Sequence, residues 1–287
     1  MPVLGFGSFR ISEYGCIEAI AVISSISVFI TSLEGFALAA HYSDGELFSW
    51  KLHRLRSRYA ANKTLERLQS RFFDLPGVFL ILGIRVAFCI LAVTRSRSRL
   101  DLLLACVGIT VTSMLLSYRG LDGKNGADQM TKITFVSLSL ALFSSQPATW
   151  RIAFVFLAGQ LALAYATAGV LKLQETSWRN GTALLVILRQ ITYGNAPLWR
   201  FAKRHPLLTR VASCGTIAFE CGFIFALLLP FKLSLIVFGL GLLFHLANAA
   251  VVGLNTFLWA FIGIYPAFIW CTAWVQSHLY GFPGVLR

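Results

Sequence analysis

The sequence predicts an all-α protein that crosses a membrane about eight times and lays one further helix on the membrane surface. Three observations predict it. Hydrophobic residues make up 57% of the 287 positions and charged residues only 13%. A folded soluble surface of that composition would leave large apolar patches in water. The apolar residues also come in continuous runs of about 20, the length that crosses a hydrocarbon core as a helix. Those runs do not alternate polar with apolar side chains, as the strands of a membrane barrel must. The mean hydropathy of +0.71 excludes an intrinsically disordered chain and argues against a soluble single-domain enzyme.

The elements follow in order. The first 15 residues are too polar for a cleaved signal peptide, so the run 16–40 is expected to act as an uncleaved signal anchor; it contains Glu18 and Glu34 and ends near His41. Segment 42–75 holds seven Lys and Arg and four acids. Its Trp50, Leu52, Leu55 and Tyr59, then Leu65, Leu68 and Phe72, recur at helical spacing. That pattern fits a basic amphipathic helix on the membrane, or an ordinary solvated helix. The second run, 76–94, opens at Pro76 and carries Arg85 near its middle. After the basic turn RSRSR (95–99) comes the third run, 100–117, and then a polar loop, 118–132. The fourth run, 133–147, is short; the fifth is 151–171. Segment 172–207 is mixed, and its apolar stretch 182–188 is too short to cross, so it reads as re-entrant or interfacial. Runs 209–229, 233–252 and 254–276 complete the set. The whole chain, 1–287, reads as a single transmembrane domain with no soluble domain.

The formal charge is +13, from 25 Lys and Arg against 12 Asp and Glu. Most basic residues lie between apolar runs, where they meet anionic lipid head groups and set orientation. An eight-span count places 17 of the 25 in segments on one side, which the positive-inside rule makes cytoplasmic; RSRSR falls opposite. No base-reading motif accompanies the charge, so membrane lipids and not nucleic acid are the expected partners. The six cysteines all fall in apolar stretches without a CxxC pair and read as small packing residues. No HxxxH pair occurs, and no metal is expected.

A charge at mid-bilayer costs several kcal/mol, so ionisable groups inside apolar runs are functional candidates. They are Glu34, Arg85, Glu220 and His245, with Asn248 three residues on and so on the same helix face. Lys172 closes a run whose small residues AYATAG (164–169) permit close helix approach. Each has a plainer reading. Arg85 would pair with Glu34 or Glu220, His245 and Asn248 would bond a neighbouring helix, Glu34 would sit at head-group level, and Lys172 would snorkel to the interface. Taken together, Lys172, Glu220, His245 and Asn248 are expected to line one internal polar cavity. An apolar pocket favours a neutral lysine, the form that works as a base. A proton relay through Glu220 and His245 is the other use of such a set.

Two stretches carry a family resemblance. They are YATAGVLKLQETSWRNGTAL (165–184) and GLLFHLANAAVVGLNTFLWA (241–260), the latter with F-H-x₂-N and a Gly-x₃-Phe. With the loop GADQM (126–130), they resemble the membrane domain of vitamin K-dependent gamma-glutamyl carboxylase. They resemble still more its smaller bacterial relatives, the HTTM (horizontally transferred transmembrane) proteins, which include sporulation-delaying-protein-B-like members. The resemblance spans roughly 15–275. It implies that Lys172 is the base that deprotonates a reduced, vitamin K-like quinone. Trp178 and Gly181 match motif positions after the lysine, and His245 and Asn248 match the F-H-x₂-N positions. The expected catalytic set is Lys172, His245 and Glu220, with Asn248, Tyr165, Trp178 and Arg85 lining the cavity. The carboxylase also uses a histidine in the loop corresponding to 118–132. None occurs between Tyr118 and Arg151, so Asn125 or Asp128 would take its place. The carboxylase's large exoplasmic substrate-gripping domain has no counterpart in these residues. The implied role is therefore modification or maturation of an exported peptide at the bacterial plasma membrane, with small accessory proteins as further partners. The family places its lysine toward the exoplasmic side, against the charge count. The alternative is a non-enzymatic transporter, or an immunity or assembly partner for a peptide or lipid.

Overall fold

Hydrocarbon offers no partner to backbone N–H and C=O groups, so an apolar chain must satisfy them within itself, as helices do. The computed structural model, which describes residues 3–6, 9–43, 46, 48–54, 69, 70, 72–120, 125–192 and 194–279, is built in this way. It opens with an antiparallel hairpin of β1 (Val3–Phe6) and β2 (Phe9–Ser12), with Leu4 opposite Ile11 and Gly5 opposite Arg10. Every other regular element among the described residues is helical. They are α1 (Glu13–Ala37), a 3-10 turn (Ala39–Tyr42), α2 (Trp50–Arg54), α3 (Leu75–Thr94), α4 (Arg99–Tyr118), α5 (Gly126–Phe143) and α6 (Pro147–Gln174). Then come α7 (Thr176–Arg179), α8 (Thr182–Arg189), α9 (Ala196–Arg204), α10 (Pro206–Gly222) with a 3-10 extension (Phe223–Leu227), α11 (Phe231–Val252), α12 (Asn255–Ile262) and α13 (Tyr265–Leu279).

Among the described residues seven helices are long and apolar enough to cross a membrane. They are α1, α3, α4, α6, α10 with its extension, α11, and α12 running on into α13. The chain is a multi-pass membrane protein. The expected fourth run, 133–147, is not one of the seven. It belongs to α5, an 18-residue helix that starts earlier because Asn125 caps it: its Oδ1 accepts the Asp128 N–H at 2.8 Å. That cap draws Asp128, Gln129 and Lys132 into the first two turns, which leaves α5 too polar over its 18 residues to count among the seven. Segment 172–207 becomes the end of α6 and three short helices; α8, with eight residues, is about 12 Å long and cannot cross.

The chain divides into two compact units. One comprises residues 17–153 and 259–263 and holds α3, α4, α5 and most of α1. A core of Tyr42, Trp50, Phe73, Val78, Ile81, Leu82 and Leu116 lies at one end of it. Trp50, expected on the stripe of a surface helix, is buried there, its ring 4.9 Å from that of Phe73. Arg119, just past α4, is also fully buried. It donates to the carbonyls of Phe73 (2.8 Å) and Phe48 (2.6 Å) and lies over the Trp50 ring. The centre of the expected amphipathic segment, 55–68, lies outside the described residues. The other unit comprises residues 1–16, 154–258 and 264–287. It holds most of α6, then α7 to α11 and α13.

Candidate functional site

The site grows from one face of α6. Tyr165, Gly169 and Lys172 stand at i, i+4 and i+7, one above another on that face. Facing them is α10. A Cβ on Gly169 would stand 2.7 Å from the Cys221 backbone nitrogen and 3.0 Å from the Glu220 Cβ, so the missing side chain is what lets the two helices meet here. The close approach delivers Glu220 to Lys172. The ammonium Nζ donates to Oε1 at 2.7 Å and to Oε2 at 2.6 Å. The Glu220 side chain is 5% exposed and that of Lys172 is 21% exposed. An ion pair so shielded from water is held by direct contact and not by screened attraction.

The chain after Lys172 closes the site. Helix α6 ends at Gln174 and the single turn α7 brings the Trp178 ring to Lys172, with Nζ 5.2 Å from the ring centroid. A cation at that distance from an indole face is attracted to it. The Ser213 hydroxyl of α10 donates to the Trp178 carbonyl and fixes the turn. Gly181, at φ +84°, sits where a Cβ would be 2.6 Å from the Arg210 nitrogen. Both the left-handed backbone and the contact require glycine. The segment from Lys172 to Gly181 is thus one loop clamped on the start of α10.

A second polar cluster lies along the same helix face, about 10 Å from Lys172 by helical rise. The Tyr165 hydroxyl is 2.7 Å from His245 Nε2 and 3.0 Å from the Tyr265 hydroxyl. The rings of Phe223 (4.2 Å) and Phe219 (5.5 Å) flank Tyr165, so this hydrogen-bonded chain runs through apolar surroundings. Gly241, one turn before His245, leaves room for the Tyr265 hydroxyl. Such buried polar chains are strong when every member is satisfied.

Lys172, Glu220, Trp178, Tyr165 and His245 therefore come together within one unit, as two adjoining clusters. Glu220 shares the pocket of Lys172. Asn248 is half-buried, and its backbone carbonyl accepts the Leu254 N–H at 3.4 Å. Arg85, Asn125 and Asp128 belong to the other unit. Arg85 donates to Ser32 Oγ at 2.8 Å and Thr31 Oγ1 at 3.4 Å, one helix away on α1, while Glu34 is exposed and Glu220 is held by Lys172. Asn125 serves as the cap of α5. Among the described residues no three His, Cys, Asp or Glu side chains gather as metal ligands would. Tyr265 and Gly241 were missed in the sequence. The available signal was a phenol inside an apolar run, since a buried tyrosine hydroxyl usually has a partner.

Searches with the sequence and the structure matched no protein-family model, no curated protein and no solved structure.

Proposed function

We propose that the chain is an enzyme of the bacterial plasma membrane that modifies or matures an exported peptide, with Lys172 as base and Glu220 and His245 as its proton-handling partners. The observation that carries this reading is the contact of the Lys172 ammonium with both carboxylate oxygens of Glu220 inside helices apolar enough to span a bilayer. The Glu220 carboxylate, in contact with the Lys172 ammonium, is the group placed to take its proton. In the neutral form the proton sits on Glu220, and Lys172 accepts a proton from a substrate O–H or C–H. The ammonium so formed stands beside the Trp178 face. Leu171 and Leu173, on either side of Lys172, are exposed, and this apolar surface would give an apolar co-substrate a route to the pair.

The resemblance to the carboxylase and the HTTM proteins supports a reduced quinone in that role. The donor set fits one. Lys172 and Glu220 would hold a quinol hydroxyl, and Trp178 would lie beside the ring. Bound there, the group would supply reducing equivalents. The Tyr165–His245–Tyr265 chain orients the deeper end of the face.

A second reading is favoured by the completeness of the same contact. A lysine held by both carboxylate oxygens suits a structural clamp in a transporter, or in an immunity or assembly partner for a peptide or lipid. Intact-mass spectrometry of the exported partner peptide separates the two. The peptide would be co-expressed with the wild type, with Lys172→Ala and with Lys172→Arg. Catalysis by Lys172 expects a mass change with the wild type alone, at equal expression. A mass change that persists with Lys172→Arg removes the base role, and identical masses in all three strains favour the second reading.

A further inference from the structure

The connection between the spanning helices α6 and α10 carries positive charge that it does not balance itself. From 176 to 219 the sequence holds six Lys and Arg and no Asp or Glu. They are Arg179, Arg189, Arg200, Lys203, Arg204 and Arg210, all exposed. The acids of the same unit do not answer them. Glu220 is held by Lys172, Glu13 is buried at the start of α1, and Glu175 is a single charge before α7. Among the described residues no carboxylate forms an ion pair with any of the six. Three of the cations share one short helix. In α9, Arg200, Lys203 and Arg204 stand at i, i+3 and i+4 and so on one face, while Ala202, on the opposite side, is buried. Asn195 Oδ1 caps α9 by accepting the Leu198 N–H at 3.0 Å, and the Asn195 N–H reaches the Leu188 carbonyl at 2.9 Å, which turns α9 back on α8. That turn brings cations from both helices to one ring. The Arg189 guanidinium carbon is 6.0 Å from the Trp199 centroid, and Lys203 Nζ is 5.2 Å from it. Like charges gathered in this way repel one another unless anions join them. Beside them Ile191, Phe201, Leu207 and Leu208 are exposed.

We propose that α8, α9 and the first turn of α10 form a docking surface for the head groups of anionic phospholipids. Charge alone would suit any polyanion; the apolar side chains decide between them. A soluble acidic partner answers the cations and leaves Ile191, Phe201, Leu207 and Leu208 in water. A bilayer surface takes both, with phosphates against the cations and the acyl boundary against the apolar side chains. The place in the chain agrees, since the segment leaves one spanning helix and enters the next. Trp199 adds to this, because an indole among cations is the ring that settles at head-group level. Guanidinium and ammonium groups are donors only, as phosphate oxygens require. The inference does not rest on the function proposed for Lys172, since its residues and its test are separate.

The test is the thermal unfolding of the full chain in detergent micelles at constant ionic strength, titrated with phosphatidylglycerol or, separately, with phosphatidylcholine. Lipid that binds only the folded chain raises Tm. For the wild type the rise should be saturable and larger with phosphatidylglycerol, by on the order of 5 °C at about 100 times Kd. The difference should shrink as salt is raised. Arg200→Gln combined with Lys203→Gln should weaken the apparent affinity for phosphatidylglycerol several-fold, with Tm in phosphatidylcholine near that of the wild type. Arg189→Gln should do the same to a smaller degree, and either variant serves if the other fails to fold. Arg95→Gln combined with Arg97→Gln removes the same charge from exposed positions elsewhere and should leave the response intact. Equal Tm with the two lipids overturns the proposal. So does a loss as large in the Arg95 and Arg97 variant, which would assign the attraction to net charge and not to this surface. A rise reproduced by inorganic phosphate alone would overturn it too, in favour of a soluble phosphate.

Discussion

Removing the carboxylate of Glu220 leaves the Lys172 ammonium without a counter-charge in a shielded site. Glu220→Ala should therefore destabilise the fold by about 3 kcal/mol, and Glu220→Leu combined with Lys172→Met should recover most of the loss. Chemical denaturation in micelles reads both, and a recovery absent from the double variant would mean that the pair contributes more than mutual neutralisation. The Tyr265 hydroxyl offers a second comparison. A Cβ at Gly241 would meet that oxygen, so Gly241→Ala should be strongly destabilising and Tyr265→Phe should cost about 1 kcal/mol. Combined, they should cost less than their sum, because the second change removes the atom that the first one strikes. Additive losses in a thermal-unfolding cycle would show that the hydroxyl is not the obstacle. At this scale Lys172, Glu220 and His245 were legible, since ionisable groups in apolar runs stand out. Tyr265 was not, because an aromatic ring in an apolar run looks like packing until its hydroxyl is seen to have partners.

Among the elements, α6 and α10 decide whether the site exists. Their approach at Gly169 leaves no space for a branched side chain, and Gly169→Val should part them. The expected cost is about 3 kcal/mol, with loss of the Lys172–Glu220 contact. Cysteine cross-linking yields between α6 and α10 that match wild type in this variant would show that the helices tolerate the separation. The small-residue stretch AYATAG announced such an approach without naming the helix that makes it. The beginning of α5 shows the opposite case. Its apolar run suggested a start at 133, but capping by Asn125 at the edge of the polar loop carries the helix back to Gly126. The spacing of Trp50 places it on a surface stripe. The tertiary structure buries it against Phe73 and Arg119, because an indole beside a buried guanidinium gains both apolar contact and cation–π attraction.

For the whole molecule, seven long apolar helices predict that the chain stays with the membrane pellet after an alkaline carbonate wash. Release into the supernatant would contradict that reading. The apolar runs were visible in the sequence because bilayer thickness sets a length and hydrocarbon sets a composition, both properties of one segment at a time. Seven of the eight expected runs correspond to the long helices observed. The sequence by itself also determined which ionisable groups are out of place in such runs. Only the tertiary structure decided their partners. Lys172 takes Glu220, 48 residues away; Arg85 takes hydroxyls of α1; Tyr165 joins His245 to Tyr265. A helix's sequence encodes which face is polar or small, but the partner of a buried polar group depends on which other face packs against it. That choice is made by glycines such as Gly169 and Gly241, where one missing side chain lets two distant segments touch.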